Sequence, residues 1–330
     1  MNRFPFQTPR RCLALAACTA AAALAVPAAL AQAWPARPIT MVVPFPPGGP
    51  TDMVARLLAQ KLSEQLGQSV VVDNKPGANG NIGGLFVSKA QADGYTLLYN
   101  TSSITLSPAL YKSMQYDVLR DLSPVALTAV VPLALVVNPA VPANSVQEFV
   151  AYAKANPGKL SYGSAGNGNV THLAAYQFVR AQGIEATHVP YRGSAPADVD
   201  LAAGQIQFMT DTINSVMAFV KDRRMKLLAV TTAKRMSLFP EVPTLAETVM
   251  PGFEAGAWQG LMVPAGTPAA VVQRLNAEVN KALQSADMRD KLAVQGAEPL
   301  GSTPEEYGAY VRKELARWAT VVKATGVTLE

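Results

Sequence analysis

The chain predicts an α/β fold of two lobes, each a mainly parallel sheet flanked by helices, joined by two crossings. Three observations lead there. Short β-branched runs alternate with helical repeats along most of the sequence. At 330 residues the chain exceeds what one hydrophobic core usually holds. A β-rich apolar stretch from Trp258 to Val263 also returns long after a first one, Val125 to Val137, as expected where a chain leaves one lobe, builds a second and comes back.

Residues 1–33 read as a cleavable secretory leader, with a transmembrane anchor as the competing reading because the apolar run approaches the length of a span. They hold Arg3, Arg10 and Arg11, no acid, then an Ala/Leu run ending in the small-residue steps Ala29-Leu30-Ala31 and Ala31-Gln32-Ala33. Arg10-Arg11 raises a twin-arginine route, and Leu15-Ala16-Ala17-Cys18 resembles a lipoprotein box; the residues around both fit those signals less well. Residues 34–131 with 257–330 are expected to form lobe I, and 132–256 lobe II.

The mature elements begin with a strand at Ile39 to Val43 and a proline- and glycine-rich turn. A helix opens near Thr51-Asp52, with Val54, Leu57, Leu58, Leu62 and Leu66 at helical spacing and Gly67 as its stop. Strands at Ser69 to Asp73 and Thr96 to Tyr99 flank a Gly/Asn turn and a further helix. Pro132 divides the first crossing into Val125–Val131 and Leu133–Val137. Lobe II repeats the alternation: a helix opened by a Ser145/Glu148 capping box, a strand at Leu160 to Tyr162, a helix from Val170 to Gln182 and a strand at Thr187 to Val189. A helix near Ala195 to Ala203 and strands at Ile206 to Met209 and Lys226 to Val230 complete it. After the return, Thr267-Pro268 and Thr303-Pro304 each place Thr as N-cap and Pro at the first helical position. The last helix sets Tyr307, Tyr310, Val311, Leu315, Trp318 and Val322 on one packing face.

Composition narrows the chemistry. With 49% hydrophobic and 15% charged residues the chain is neither disordered nor collagen-like. The leader takes both cysteines, Cys12 and Cys18, so the rest has no disulfide, no thiol nucleophile and no thiolate for a metal. The leader's three arginines account for most of the excess of 28 Lys+Arg over 23 Asp+Glu. The remaining basic pairs are isolated, which argues against nucleic acid as a partner. No metal motif and no cofactor fingerprint occurs, and no catalytic residue is assigned: Gly163-Ser164-Ala165-Gly166 is not a G-x-S-x-G elbow, and Gly77 to Gly84 has the wrong spacing for G-x-G-x-x-G.

Two glycine-rich turns between a strand and a helix, one in each expected lobe, carry the functional signal. The first is Pro44-Phe45-Pro46-Pro47-Gly48-Gly49-Pro50-Thr51-Asp52; the second runs from Tyr162 through Ser164, Gly166, Asn167 and Gly168 to His172. At the carboxyl ends of parallel strands, the free N–H groups and dipole of the following helix suit a carboxylate or phosphate. A third turn, Pro76 to Gly84, adds amide donors from Asn79 and Asn81 or simply makes a corner. Asp211, after the Ile206 strand, is either a turn aspartate or a carboxylate at the cleft edge that pairs with an amino group or discriminates against dianions. A hydrolase built from Ser164, His172 and Asp211 is the enzymatic alternative.

These residues resemble the Bug family, the periplasmic substrate-binding components of tripartite tricarboxylate transporters. The marks are Trp34-Pro35-Ala36-Arg37-Pro38-Ile39, Val43-Pro44-Phe45-Pro46-Pro47-Gly48-Gly49 with Asp52 and Arg56, and Asn74-Lys75-Pro76-Gly77-Ala78-Asn79-Gly80-Asn81-Ile82-Gly83. Asp93-Gly94-Tyr95-Thr96-Leu97-Leu98, Gly163 to Gly168 with His172-Leu173, His188-Val189-Pro190-Tyr191-Arg192-Gly193 and Pro240 to Glu247 follow in order. The resemblance implies a periplasmic-binding-protein-like clamshell that closes on a small carboxylate and performs no chemistry on it. It implies that the loops Phe45–Thr51 and Ser164–His172 hold one carboxylate, that the loop Asn100-Thr101-Ser102-Ser103 contributes, Thr101 and Ser102 first, and that Asp211 matters for ligands with an amino group. Dicarboxylates, tricarboxylates, acidic amino acids and aromatic carboxylates all fit, with membrane transporter subunits as partners and a monomer as the expected state. A sensor that presents its closed form to a signalling receptor is the other non-enzymatic reading. Two departures stand out: Pro50 removes a backbone donor after the glycine pair, and Thr210 and Thr212 make the Asp211 edge more hydroxylic.

Overall fold

The computed structural model describes residues 34–48, 50–236, 238–294 and 296–326. The leader expected over 1–33 lies outside them. Residues from Arg37 onward form one compact unit.

Its sheet is organised around one long strand. β4 (Leu122–Val137) pairs over Leu122–Pro132 with β9 (Gly256–Pro264) and over Leu133–Val137 with β7 (Phe208–Thr212) and β8 (Lys226–Val230). The expected break at Pro132 is thus a change of partners inside a single strand. Pro132 stands opposite Gly256, on the last rung before the ladder changes, a place where its missing N–H is tolerated.

Either side of β4 the same plan recurs. Beyond β9 lie β3 (Thr96–Thr101), then β1 (Ile39–Val43) and β2 (Val70–Asn74), with the β1–β3 and β1–β2 ladders parallel. Beyond β7 lie β5 (Leu160–Ser164) and β6 (Ala186–Pro190), again parallel. Parallel strands need crossover helices, and they are supplied by α1 (Pro50–Leu66), α2 (Asn81–Ser88), α6 (Val170–Gln182) and α7 (Ser194–Ala203). α3 (Ser103–Leu110) and α8 (Ile213–Lys221) follow β3 and β7. The short α4 (Val118–Asp121) leads into β4, and α5 (Val146–Ala155) follows it.

Each half has its own core. One gathers Val42, Leu98, Trp258 and Tyr307; the other gathers Phe149, Tyr162, Phe178 and Phe208. A 22-residue helix spans both. After α9 (Leu245–Thr248), α10 (Ala269–Gln284) and α11 (Ala286–Val294), the closing α12 (Pro304–Thr325) buries Tyr307 and Val311 in the first core and Trp318 and Val322 in the second. Its amphipathic face is as the spacing predicts, and its Thr303/Glu306 capping box is complete.

Three local expectations are corrected. Glu148 accepts from Asn144 N–H rather than from Ser145 N–H, so Ser145 caps α5 without the reciprocal bond. Thr267 is no N-cap: its hydroxyl donates to the Pro264 carbonyl and α10 starts after Pro268. β7 starts at Phe208 and runs through Thr212, because Thr210 and Thr212 continue the strand alternation, so Asp211 lies inside the strand opposite Ala134.

Candidate functional site: a cavity ringed by helix N-termini

A cavity of 190 Å³ lies where the two halves of the sheet face each other. Five helices begin at its wall. Thr51 opens α1, Ser102 and Ser103 begin α3, Asn169 to Thr171 begin α6, Ser194 is the first residue of α7, and Thr212 caps α8. Each helix start carries N–H groups without an intrahelical acceptor and a partial positive charge. The Val170 N–H, for instance, has no acceptor among the described residues. No Lys, Arg or His lines the cavity among those residues, and Asp211 is its one ionisable group. Such a wall suits an anion held by main-chain dipoles and hydroxyls rather than by countercharge.

The loop after β1 is fixed by one buried carboxylate. Asp52 Oδ2 accepts from Gly48 N–H (2.9 Å) and Arg56 Nε (2.8 Å), and Oδ1 accepts from Asn74 Nδ2 (2.8 Å), which also donates to the Phe45 carbonyl. Burial pushes the Asp52 carboxyl up, but the hydrogen bonds from Arg56, Gly48 and Asn74 outweigh it and leave the pKa below its ordinary value. The motif residues Asp52, Arg56 and Asn74 therefore brace the loop that presents Phe45 and Thr51 to the cavity.

The loop after β5 is held from within. Ala165 N–H donates to Thr171 Oγ1, Thr171 N–H to Asn169 Oδ1, and Gly168 N–H to His172 Nδ1. Ser164 Oγ lies 2.7 Å from His188 Nε2 and 3.2 Å from the Gly166 N and O. The rings of His172 and His188 stack, and burial, joined for His172 by the His188 charge, holds both down at about 4.

Of the residues expected from the sequence, Phe45, Thr51, Asn79, Thr101, Ser102 and Asp211 come together on the cavity. Gly48, Ser164, Gly166, Asn167 and His172 do not line it. The Gly48 N–H is spent on Asp52, Ser164 and Gly166 on each other and on His188, His172 on Gly168, and Asn167 faces solvent. Gly49 lies outside the described residues. The imagined Ser164–His172–Asp211 triad is not assembled: the Ser164 partner is His188, and Asp211 bonds to Ser194 and Thr212.

The sequence reading placed Ser103, Asn169 and Thr171 only within their loops and missed Ser194 and Gln259 on the same wall. Gln259 had a readable signal, an amide inside the apolar run of β9; there its Oε1 accepts from Tyr99 OH at 2.8 Å. Ser194 follows Gly193, whose φ of 109° turns the chain into α7. A larger groove of 520 Å³ beside Lys313, Glu314 and Arg317 of α12 mixes charges of both signs and has no such convergence of helix starts.

Residues 54–327 match the model of the tripartite tricarboxylate transporter family receptor. The chain belongs to this family. BugT of Bordetella pertussis is 41% identical over 313 residues, 94% of this chain and 96% of its own length. An R. palustris protein solved with adipate is 41% identical, with a TM-score of 0.79 over 89% of this chain and 99% of that one. MatC from Rhodopseudomonas palustris, solved with bound malate, is 34% identical, with a TM-score of 0.74 over 88% and 100%. The two-lobed binding-protein fold of these receptors is the fold seen here. Receptors of this family are periplasmic. Among the described residues no helix is long and apolar enough to cross a membrane.

Proposed function

We propose that this family member is an exported, non-catalytic receptor that captures a small carboxylate between lobe I (34–131 with 257–330) and lobe II (132–256). It then delivers the ligand to the membrane subunits of a tripartite tricarboxylate-type transporter. One observation carries the reading: five helix N-termini surround a cavity that no cation lines among the described residues, so a buried negative charge is welcome there. The cavity is smaller than the roughly 300–1,000 Å³ of drug-sized pockets, which favours a short solute. Adipate and malate in the two solved relatives are of that kind. Closure follows if the ligand touches both halves, because it then binds the closed form better than the open one. Removal of residues 1–33 places the mature chain in the periplasm, where it works as a monomer.

Calorimetric titration with adipate, malate, citrate, glutamate and benzoate tests this. Saturable binding of at least one, with the ligand recovered unaltered, is expected. No binding across the panel by folded protein, or conversion of the ligand, would overturn it.

A further inference from the structure

Asp211 sets a problem for an anion site. It is 0% exposed, it lines the cavity, and its Oδ2 has no hydrogen-bond partner, while Oδ1 accepts from Ser194 Oγ (2.8 Å) and Thr212 N–H (2.6 Å). A second acid stands behind it. Asp198 is 1% exposed and sits one turn after Ser194 on α7, the spacing that puts both on one helix face. The Asp198 Oδ2 accepts from Ser215 Oγ of α8, and its Oδ1 is also buried without a partner.

Among the described residues no positive charge answers the two carboxyls. α7 contributes Ser194 and Asp198 to this corner, α8 contributes Thr212 and Ser215, and β4 places Ala134 opposite Asp211. β5 reaches α7 through Gly163, which lies against Ala197. Asp200, the remaining acid of α7, is engaged by Tyr191 OH at 2.7 Å. Among the described residues neither Asp198 nor Asp211 has an ion-pair partner. Two buried carboxyls in one corner of the fold cannot both be ionised without a large penalty. A ligand anion brought into the cavity would add a third negative charge.

We propose that Asp198 and Asp211 hold a shared proton and that the cavity offers it, through Asp211, to the far carboxylate of a dicarboxylate ligand. At a pH where the free pair has lost that proton, the receptor recaptures it together with its ligand. This rests on the carboxylate-receptor reading above. With ligand bound, Asp211 acts as a hydrogen-bond donor to it, and Asp198 is a positioning residue that takes the other share of the pair's buried charge. Burial pushes both carboxyls above the ordinary range, and repulsion from Asp211 raises Asp198 further, as expected of two acids that carry one proton between them. The unpartnered Asp211 Oδ2 has a role in this scheme, since a ligand oxygen supplies its missing partner.

The test is calorimetric titration of the wild-type chain with adipate and with malate between about pH 6 and about pH 8, in two buffers of different ionisation enthalpy. Affinity is expected to change little near about pH 6, where the free pair still holds its proton, and to fall by up to about tenfold per pH unit towards about pH 8, where proton uptake on binding approaches one. Asp211→Asn should flatten this profile. Asp198→Asn should move it to lower pH by about one unit, a shift that a purely structural loss would not produce. A pH-independent affinity without proton uptake removes the inference and leaves the receptor reading standing, as does an Asp198→Asn effect equal at every pH. Absence of binding to either probe at all pH values removes both for this ligand class.

Discussion

His172 and His188 stack face to face, with ring centroids 3.8 Å apart and planes inclined by 7°. At this distance, charging both rings would set two buried cations side by side. Both are held at about 4, below the ordinary 6.5, by burial first and, for His172, by the second ring. Between those values the unfolded chain binds more protons than the native one. Stability from this pair is therefore complete above about pH 6.5 and is lost as pH falls towards about 4. The acid pair Asp198–Asp211 works in the opposite sense: its raised pKa values remove stability as pH rises through them.

The histidine contribution must accordingly be read as a difference. His172→Gln keeps an acceptor for Gly168 N–H but does not titrate. The wild type should be more stable than this variant by about 1–3 kcal/mol near pH 7, and thermal melts should show the gap closing as pH falls to about 4.5. Parallel curves would show that the stack does not titrate as argued.

Ser164 and Thr51 belong to the two glycine turns and look alike in sequence, yet the structure gives them different work. Ser164 is fully buried and braces its own loop against His188, whereas Thr51 lines the cavity. Ser164→Ala should lower thermal stability by about 1–2 kcal/mol, the scale of a buried hydrogen bond. Thr51→Val should leave the melting temperature nearly unchanged and weaken carboxylate binding by about 1–2 kcal/mol, the scale of a charge-assisted bond. Calorimetry and melting curves on the two variants separate the roles. A Ser164→Ala protein of normal stability with lost binding would reverse the assignment.

Neither residue should support catalysis. The Ser164 hydroxyl has no exposure to solvent, and among the described residues no acid is bonded to the assembled Ser164–His188 pair, Asp211 being taken up by Ser194. Incubation with p-nitrophenyl acetate should give the same hydrolysis rate for wild type and Ser164→Ala. A rate in the wild type that disappears in the variant would revive the hydrolase.

The helices and strands were legible where periodicity is strong. The Val170–Gln182 helix and the face of α12 were read from spacing alone, and the crossings from Trp258 to Val263 and Val125 to Val137 from their apolar β-rich character. The site was legible only in outline. Glycine turns announce that a helix starts near a ligand, but which N–H groups stay free depends on side chains that return to the backbone. Asp52 takes Gly48 N–H and Thr171 Oγ1 takes Ala165 N–H, and neither bond has a spacing that singles it out. Asp198 shows the same limit. Its place in α7 reads as an ordinary polar residue, and its burial against Ser215 comes from how α7 and α8 pack.

Gly260 carries the last prediction, because it stands beside Gln259 in β9 and beneath the ring of Tyr307. A Cβ added there would collide with the Tyr307 hydroxyl and ring, which are fully buried in the first core and cannot swing aside. Tyr307 OH donates to Asn100 Oδ1 at 2.8 Å, and Asn100 directly precedes the cavity residues Thr101 and Ser102. Gly260→Ala should thus cost about 2–4 kcal/mol through overpacking and the broken buried bond. Tyr307→Phe in the same background removes the clashing oxygen and should recover about 1 kcal/mol of that loss, although it leaves Asn100 without its donor. Denaturant melts of the single and double variants measure both terms. Additive losses in the double variant would show that the two positions do not meet in the folded protein.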